Sequence, residues 1–161
     1  MHSLGSTFAA AALAATLAGC GNSNPAGGSA SPPAASPPTE AEMEAAQPAL
    51  PAPYNTADLA NGAAKFALCA SCHTLAEGGP SMTGPNLHGV FGRKAASLET
   101  FHYYDALKAK GWTWDAGRLD TWITDPKADV PGTKMTFVGL SDSKDRTDVI
   151  AYVMLQTGYK P

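Results

Sequence analysis

Cys69, Cys72 and His73 are the residues whose types and spacing carry a definite chemistry. They form the run Cys69-Ala70-Ser71-Cys72-His73, the Cys-x-x-Cys-His pattern of covalent haem attachment. Two thiols three residues apart lie on one face of a helical turn. Both can therefore add across the vinyl groups of one porphyrin edge and become thioethers. The next residue brings an imidazole over the iron as a proximal ligand. Two other chemistries use paired cysteines. A structural zinc site needs a second ligand pair, and no other cysteine lies near. A redox dithiol is expected beside a βαβ pattern, and none is visible. One covalently bound haem c is the expected cofactor.

The chain that must position this motif has 161 residues, read as one domain plus processing and linker sequence. The net charge of -3, from 11 Lys and Arg against 14 Asp and Glu, argues against a nucleic-acid partner. No Lys or Arg precedes Lys65, and Glu40, Glu42 and Glu44 lie upstream of Tyr54. From Tyr54 onward the two signs balance, with 14 − 3 = 11 acidic residues against 11 basic ones.

The third cysteine, Cys20, follows a small apolar run from Phe8 to Ala18. That run has the length of a signal-peptide core and is too short for a bilayer, which needs about 20 residues. Leu17-Ala18-Gly19-Cys20 resembles a bacterial lipobox. The resemblance implies that residues 1–19 are a lipoprotein signal peptide and that Cys20 carries lipid at the new N-terminus. The n-region departs from the pattern, having His2 but no Lys or Arg. Residues 20–53 then read as the lipidated Cys and a disordered tether rich in Pro, Ala and Ser, which cannot bury enough apolar surface to offset ordering entropy.

Residues 54–161 are the expected domain. Ala57 to about Ala67 reads as a helix capped by Asn55 or Thr56. Tyr104 to Lys110 is a short helix ended by Gly111, and Ala116 to Thr124 is another, stopped before Pro126. The last helix runs from Ser141 as N-cap to about Thr157, with Gly158 as its stop. Val149, Tyr152 and Val153 form an apolar face whose natural counterpart is Gly62 with Phe66. Between the helices the chain is irregular, and no alternation suggests strands. A domain of this size with so much loop has a thin core, which a covalent haem completes.

From Cys69 to Tyr152 the sequence resembles class I c-type cytochromes, in particular the branch with mitochondrial cytochrome c and bacterial cytochrome c2. The residues that carry the resemblance are Cys69–His73, the run Thr83-Gly84-Pro85-Asn86-Leu87-His88-Gly89-Val90-Phe91-Gly92-Arg93-Lys94, Trp114, and Pro131-Gly132-Thr133-Lys134-Met135. The resemblance implies an all-α fold of three main helices plus loops wrapped around haem c. It implies His73 and Met135 as the axial iron ligands, and Pro85 as carbonyl acceptor for the His73 Nδ1–H. Arg93, Tyr103, Trp114 and Thr133 are implied to bond the haem propionates, and Phe137 to lie at the exposed haem edge. His88 and His102 compete as ligands on chemistry alone, but a soft thioether suits an electron carrier of raised potential. Met82 and Met154 read as packing. The chain departs from the family at Trp122, where a Tyr is common, and at Leu107, where mitochondrial members carry Asn. Ser141 and Asp142 occupy lysine places, while Lys127 and Lys134 remain.

The expected function is that of a membrane-tethered, one-electron carrier rather than an enzyme. It would work at the periplasmic face of the bacterial cell envelope, between respiratory or photosynthetic complexes. The expected donor is a cytochrome bc1-type complex; the acceptor is a terminal oxidase or a reaction centre. The alternatives are a haem peroxidase or gas-sensing domain, and a dedicated haem subunit of a periplasmic dehydrogenase.

Overall fold

The computed structural model describes residues 36–160. The signal peptide and Cys20 lie outside the described residues. Within them the chain forms six α-helices: α1 (Glu40–Ala46), α2 (Leu59–Ala70), α3 (Asp105–Lys108), α4 (Ala116–Thr124), α5 (Pro126–Asp129) and α6 (Ser143–Gln156). Two 3-10 turns, Gln47–Ala49 and Tyr54–Thr56, lie between α1 and α2. Lys94 and Thr113 form an isolated antiparallel bridge, and no strand occurs among the described residues.

Side-chain oxygens set the helix starts, as expected for N-caps. Asp58, Asp115, Asp125 and Asp142 cap α2, α4, α5 and α6 by accepting backbone N–H bonds. These caps move the expected boundaries. Asn55 and Thr56 fall in a 3-10 turn, and α2 begins one residue after Asp58 and continues through Ala70. Asp142, rather than Ser141, caps α6. Pro126 does not merely stop α4: it occupies the first turn of α5, where a missing N–H costs nothing. Three main helices, α2, α4 and α6, carry the fold as expected, joined by shorter ones.

The helices α2 and α6 cross at Gly62. A Cβ there would stand 2.3 Å from the Asp148 carbonyl oxygen and 2.9 Å from the Tyr152 Cβ. Only glycine lets the two backbones approach this closely. One turn on, the Phe66 and Tyr152 rings lie 5.7 Å apart. Val149, Ile150, Val153 and Met154 of α6 are buried.

Asp148, 1% exposed, ties the crossing together. Its carboxylate accepts the Asp58 backbone N–H at 2.9 Å, the Asn61 Nδ2 at 2.7 Å and the Lys144 Nζ at 2.6 Å. Burial pushes its pKa up, but these hydrogen bonds outweigh burial and hold it below the usual carboxylate range.

The tether expected to run to Pro53 is corrected at its C-terminal end. Thr39 and Glu42 form a capping box that starts α1. Met43 and Leu50 are each only 7% exposed, and Leu50 belongs to the main core. Gln156 of α6 donates to the Met43 sulfur at 3.1 Å. Composition alone pointed to disorder, but a capped turn with two apolar anchors can fold against a preformed helix.

Gly62→Ala should cost roughly 3 kcal/mol or more, because backbone must shift to admit the methyl. Thermal unfolding of the haem-loaded chain measures it. Asp148 has a lowered native pKa, so its contribution is present above its unfolded value, about 3.9. It is lost as pH falls through the native value. Asp148→Asn should therefore flatten the acid limb of the melting temperature below about pH 4; an unchanged acid limb would count against this role.

Candidate functional site

The attachment motif sits where α2 ends. Cys69 lies in the last turn, and the N–H groups of Cys72 and His73 both reach the Cys69 carbonyl at 3.0 Å. The helix thus ends with Cys69 on its final turn, and Cys72 and His73 follow in the turn that closes on the Cys69 carbonyl. Burial, and then the neighbouring Cys72, pushes the Cys69 thiol up to about 11, so it is held as an uncharged thiol. Neither cysteine is in a disulfide. Among the described residues no three His, Cys, Asp or Glu side chains gather as a metal site, which removes the support for a zinc reading.

The His73 ring is fixed from two sides. Its Nδ1 lies 2.8 Å from the Pro85 carbonyl oxygen. A carbonyl can only accept, so Nδ1 carries the proton and Nε2 keeps a free lone pair. Gly84 packs flat on the imidazole: a Cβ there would come within 2.3 Å of the His73 Cε1. Burial lowers the pKa of His73, and the Pro85 carbonyl opposes this only in part. The ring is therefore neutral, as a metal ligand must be.

Asn86, 8% exposed, braces this loop. It donates to the Thr74 hydroxyl at 2.6 Å and the Ala76 carbonyl at 3.0 Å, and accepts the His88 N–H at 2.8 Å. Arg93 donates to the carbonyls of His88 at 3.1 Å and Asn86 at 3.0 Å. Two of its guanidinium nitrogens thus serve the backbone, a role its sequence reading omitted. The Trp114 N–H holds the Arg93 carbonyl at 2.9 Å, and the buried Trp114 ring meets Trp112 and Trp122 edge-on. Tyr103 stands edge-on to Phe101.

Met135 lies on the loop between α5 and α6. Thr133 accepts the Met135 N–H at 3.1 Å, and its hydroxyl meets the Tyr104 hydroxyl at 2.6 Å. Tyr104 was not singled out by sequence; its signal is an aromatic hydroxyl beside the α3 start. Further along, Leu140 N–H bonds the Ile123 carbonyl at 2.8 Å, and Gly139 lies so close to Thr124 that a Cβ would clash with its carbonyl. The loop is thereby pinned to α4 with Met135 partly buried against the core.

Cys69, Leu87, Leu119, Ile123, Phe137 and Val149 line one apolar cavity. Ile150 and Val153 of α6 border it too. Its walls suit a flat hydrophobic group attached at Cys69. The free Nε2 lone pair of His73 and the soft sulfur of Met135 are donors of the type haem iron takes. The residues present fit a covalent haem. Of the competing histidines, His102 is exposed, and the His88 ring lies 3.5 Å from where a Gly158 Cβ would be. Met154 is fully buried as expected, but Met82 is 42% exposed and is not packing. Leu107 is buried in the core, where the resemblance placed a polar residue in relatives.

The family sequence profile described as Cytochrome c matches residues 59–156. A cytochrome c from Stellaria longipes is 47% identical over 105 residues, covering 65% of this chain and 97% of the relative. A cytochrome c2 from Rhodoplanes tepidamans is 45% identical over 96 residues, covering 60% of this chain and 90% of the relative. A cytochrome c2 from Blastochloris viridis is 42% identical over 102 residues, covering 63% of this chain and 80% of the relative. The chain belongs to the cytochrome c family. It is an electron carrier, not an enzyme, and its cofactor is one covalently attached haem c.

Gly84→Ala should force the His73 ring away from its position, at a cost of about 1–3 kcal/mol. The expected readout is a lower haem-to-protein ratio in purified chain and a faster loss of the native spectrum on heating. A variant with native haem content and native melting would show that Gly84 does not position His73.

Proposed function

We propose that the chain is a membrane-tethered carrier that takes one electron from a cytochrome bc1-type donor. It delivers it to a terminal oxidase or a photosynthetic reaction centre at the periplasmic face of a bacterial envelope. The observation that carries the reading is the fixed placement of His73, with Nδ1 on the Pro85 carbonyl, four residues after Cys69, which lines an apolar cavity together with Phe137. His73 and Met135 are the residues that would hold the haem iron, with the Cys69 and Cys72 sulfurs as attachment points. Arg93, Tyr103, Trp114 and Thr133 are the proposed propionate partners, and Phe137 the residue at the exposed edge.

Bound haem supplies a one-electron couple, and the chain's residues keep that couple from becoming a reactive site. The Pro85 carbonyl holds the His73 tautomer and makes the ring a stronger ligand. Thr133, Tyr104 and the Gly139 contact hold the Met135 loop in one place, so ligation need not change as the electron arrives or leaves. The apolar walls exclude water. A haem iron held by both His73 and Met135 would have little to reorganise, which suits outer-sphere transfer.

Anchoring rests on Leu17–Cys20, where Cys20 is the proposed lipidated residue. No described helix is long and apolar enough to cross a membrane. With α1 folded onto the domain, the segment from Gly21 to Pro38 is the proposed tether. Its 38 − 20 = 18 residues reach about 55 Å as polyproline II. Confinement within such a reach gives an effective partner concentration up to the mM range.

Met135→Ala should abolish the weak red ferric absorption of Met ligation, lower the potential, and let cyanide or CO bind. If Met82→Ala does this and Met135→Ala does not, the ligand assignment is wrong. Cys20→Ser should release the chain from membranes without changing its spectrum. Mass spectrometry that finds Cys20 unmodified, or the mature chain starting elsewhere, would refute the anchor. Stopped-flow oxidation of reduced chain by membranes holding a terminal oxidase tests the carrier reading itself; negligible oxidation would overturn it.

A further inference from the structure

We propose that Arg118 is a positioning residue for Met135: clamped between Trp112 and Asp129, it holds the upstream end of the loop that carries the Met135 sulfur. The inference rests on the reading of Met135 as a residue that would hold the haem iron. It names the contact that decides how often that sulfur swings free.

The loop needs an anchor on this side. The helix α5 has only four residues, Pro126–Asp129, and so short a helix cannot hold its own place. Asp129 ends it, the fully buried Val130 follows, and five residues beyond Val130 the chain reaches Met135. The Thr133 N–H bonds the Val130 carbonyl at 2.9 Å, and the Met135 N–H bonds the Thr133 hydroxyl at 3.1 Å. A shift of Asp129 is thereby passed along the turn to Met135. Downstream, Gly139 and Leu140 pin the loop to α4. Upstream, the link to α4 is Arg118.

Arg118 makes that link in two directions. Its Nη2 donates to the Asp129 Oδ2. Its guanidinium carbon lies over the Trp112 ring, 4.2 Å from the ring centre, well within the range of a cation–π contact. Lys110 closes the group: its Nζ donates to the Asp129 backbone carbonyl at 3.1 Å and lies 5.6 Å from the centre of the same ring. The Arg118 and Asp129 side chains are only 22% and 15% exposed, which sets them apart from the open pair of Lys108 with Asp105, at 56% and 98%. The Arg118 Nε and Trp112 Nε1 atoms are buried and find no hydrogen-bond partner among the described residues, so the clamp depends on the ring contact and on Asp129. Trp112 is itself held edge-on to Trp114, with ring centres 5.7 Å apart. Arginine suits both tasks, because its planar group can lie on a ring while its fork reaches a carboxylate; a lysine ammonium offers a single point charge.

The test compares haem-loaded wild type, Arg118→Gln, Asp129→Asn and the double variant. Hydrogen exchange at the Thr133 and Met135 amides reads opening of the loop directly. The rate at which saturating cyanide displaces the Met135 sulfur from ferric chain reads the same opening at the iron. Each single change should raise both rates about tenfold, since a half-buried pair lies in worth between exposed and buried ones. The double variant should go little further, because both changes break one interaction. Arg118→Lys should recover only part of the wild-type rates. Asp148→Asn loosens the α2–α6 crossing instead and should leave both rates near wild type. Asp129→Asn preserves side-chain size, so the test does not depend on Arg118→Gln folding. Amide exchange unchanged in both single variants would overturn the inference. So would an equal acceleration in Asp148→Asn at a similar loss of melting temperature, which would make the effect one of overall stability. Met135→Ala that keeps the red ferric absorption would fail the Met135 reading, and this inference with it. Loss of that absorption in Met135→Ala, with cyanide capture unchanged in the Arg118 and Asp129 variants, would overturn the inference alone.

Discussion

The approach of α2 to α6 at Gly62 is the constraint from which the rest of the structure follows. α2 has one function-bearing end, at Cys69, and its direction is set by where it touches α6. Because a Cβ at Gly62 would overlap the Asp148 carbonyl, the helices meet backbone to backbone. That closeness brings Phe66 onto Tyr152 and buries Asp148 under Asn61 and the α2 start. The buried carboxylate is tolerated because each oxygen is bonded, Oδ1 by the Asp58 N–H and Oδ2 by Asn61 and Lys144. A polar lock of this kind fixes register as well as distance, since sliding α2 by one residue would strip the carboxylate of its partners. The positions of both attachment cysteines and of His73 are consequences of that register.

The two sides of the site are held by different means. On the His73 side, order comes from backbone: the Pro85 carbonyl, the bare face of Gly84 and the Asn86 bonds to Thr74 and Ala76. On the Met135 side, it comes from a hydroxyl pair, Tyr104 with Thr133, and from the Gly139 contact with α4. Fewer bonds secure the second loop, so local opening should begin there rather than at His73.

What was legible in the sequence divides along a physical line. Cys69, Cys72 and His73 were readable because haem attachment demands those atoms at that spacing, whatever the fold. The α2 and α6 faces were readable because Gly62, Phe66, Val149 and Val153 repeat at helical period. The α2 cap was misplaced by a few residues because the backbone N–H of residue 58 is held by Asp148, 90 positions away, and no local pattern carries that bond. The helix α1 was missed for a related reason. Its surroundings are rich in Pro, Ala and Ser, and its stability comes from Met43 and Leu50 meeting surfaces built by distant residues. Met82 was read as packing because burial of one methionine is a property of the assembled loop, not of its sequence.

The fold of α1 also bears on geometry. Met43 rests on Gln156, at the last turn of α6, whereas the cavity borders Val149, Ile150 and Val153 in its middle turns. Residues 36–39 therefore lie beside the end of α6, with Leu155, Pro37 and Pro38 around the same hollow. Helix α6 thus serves two neighbours with different turns: its last turn receives α1, and its middle turns border the cavity.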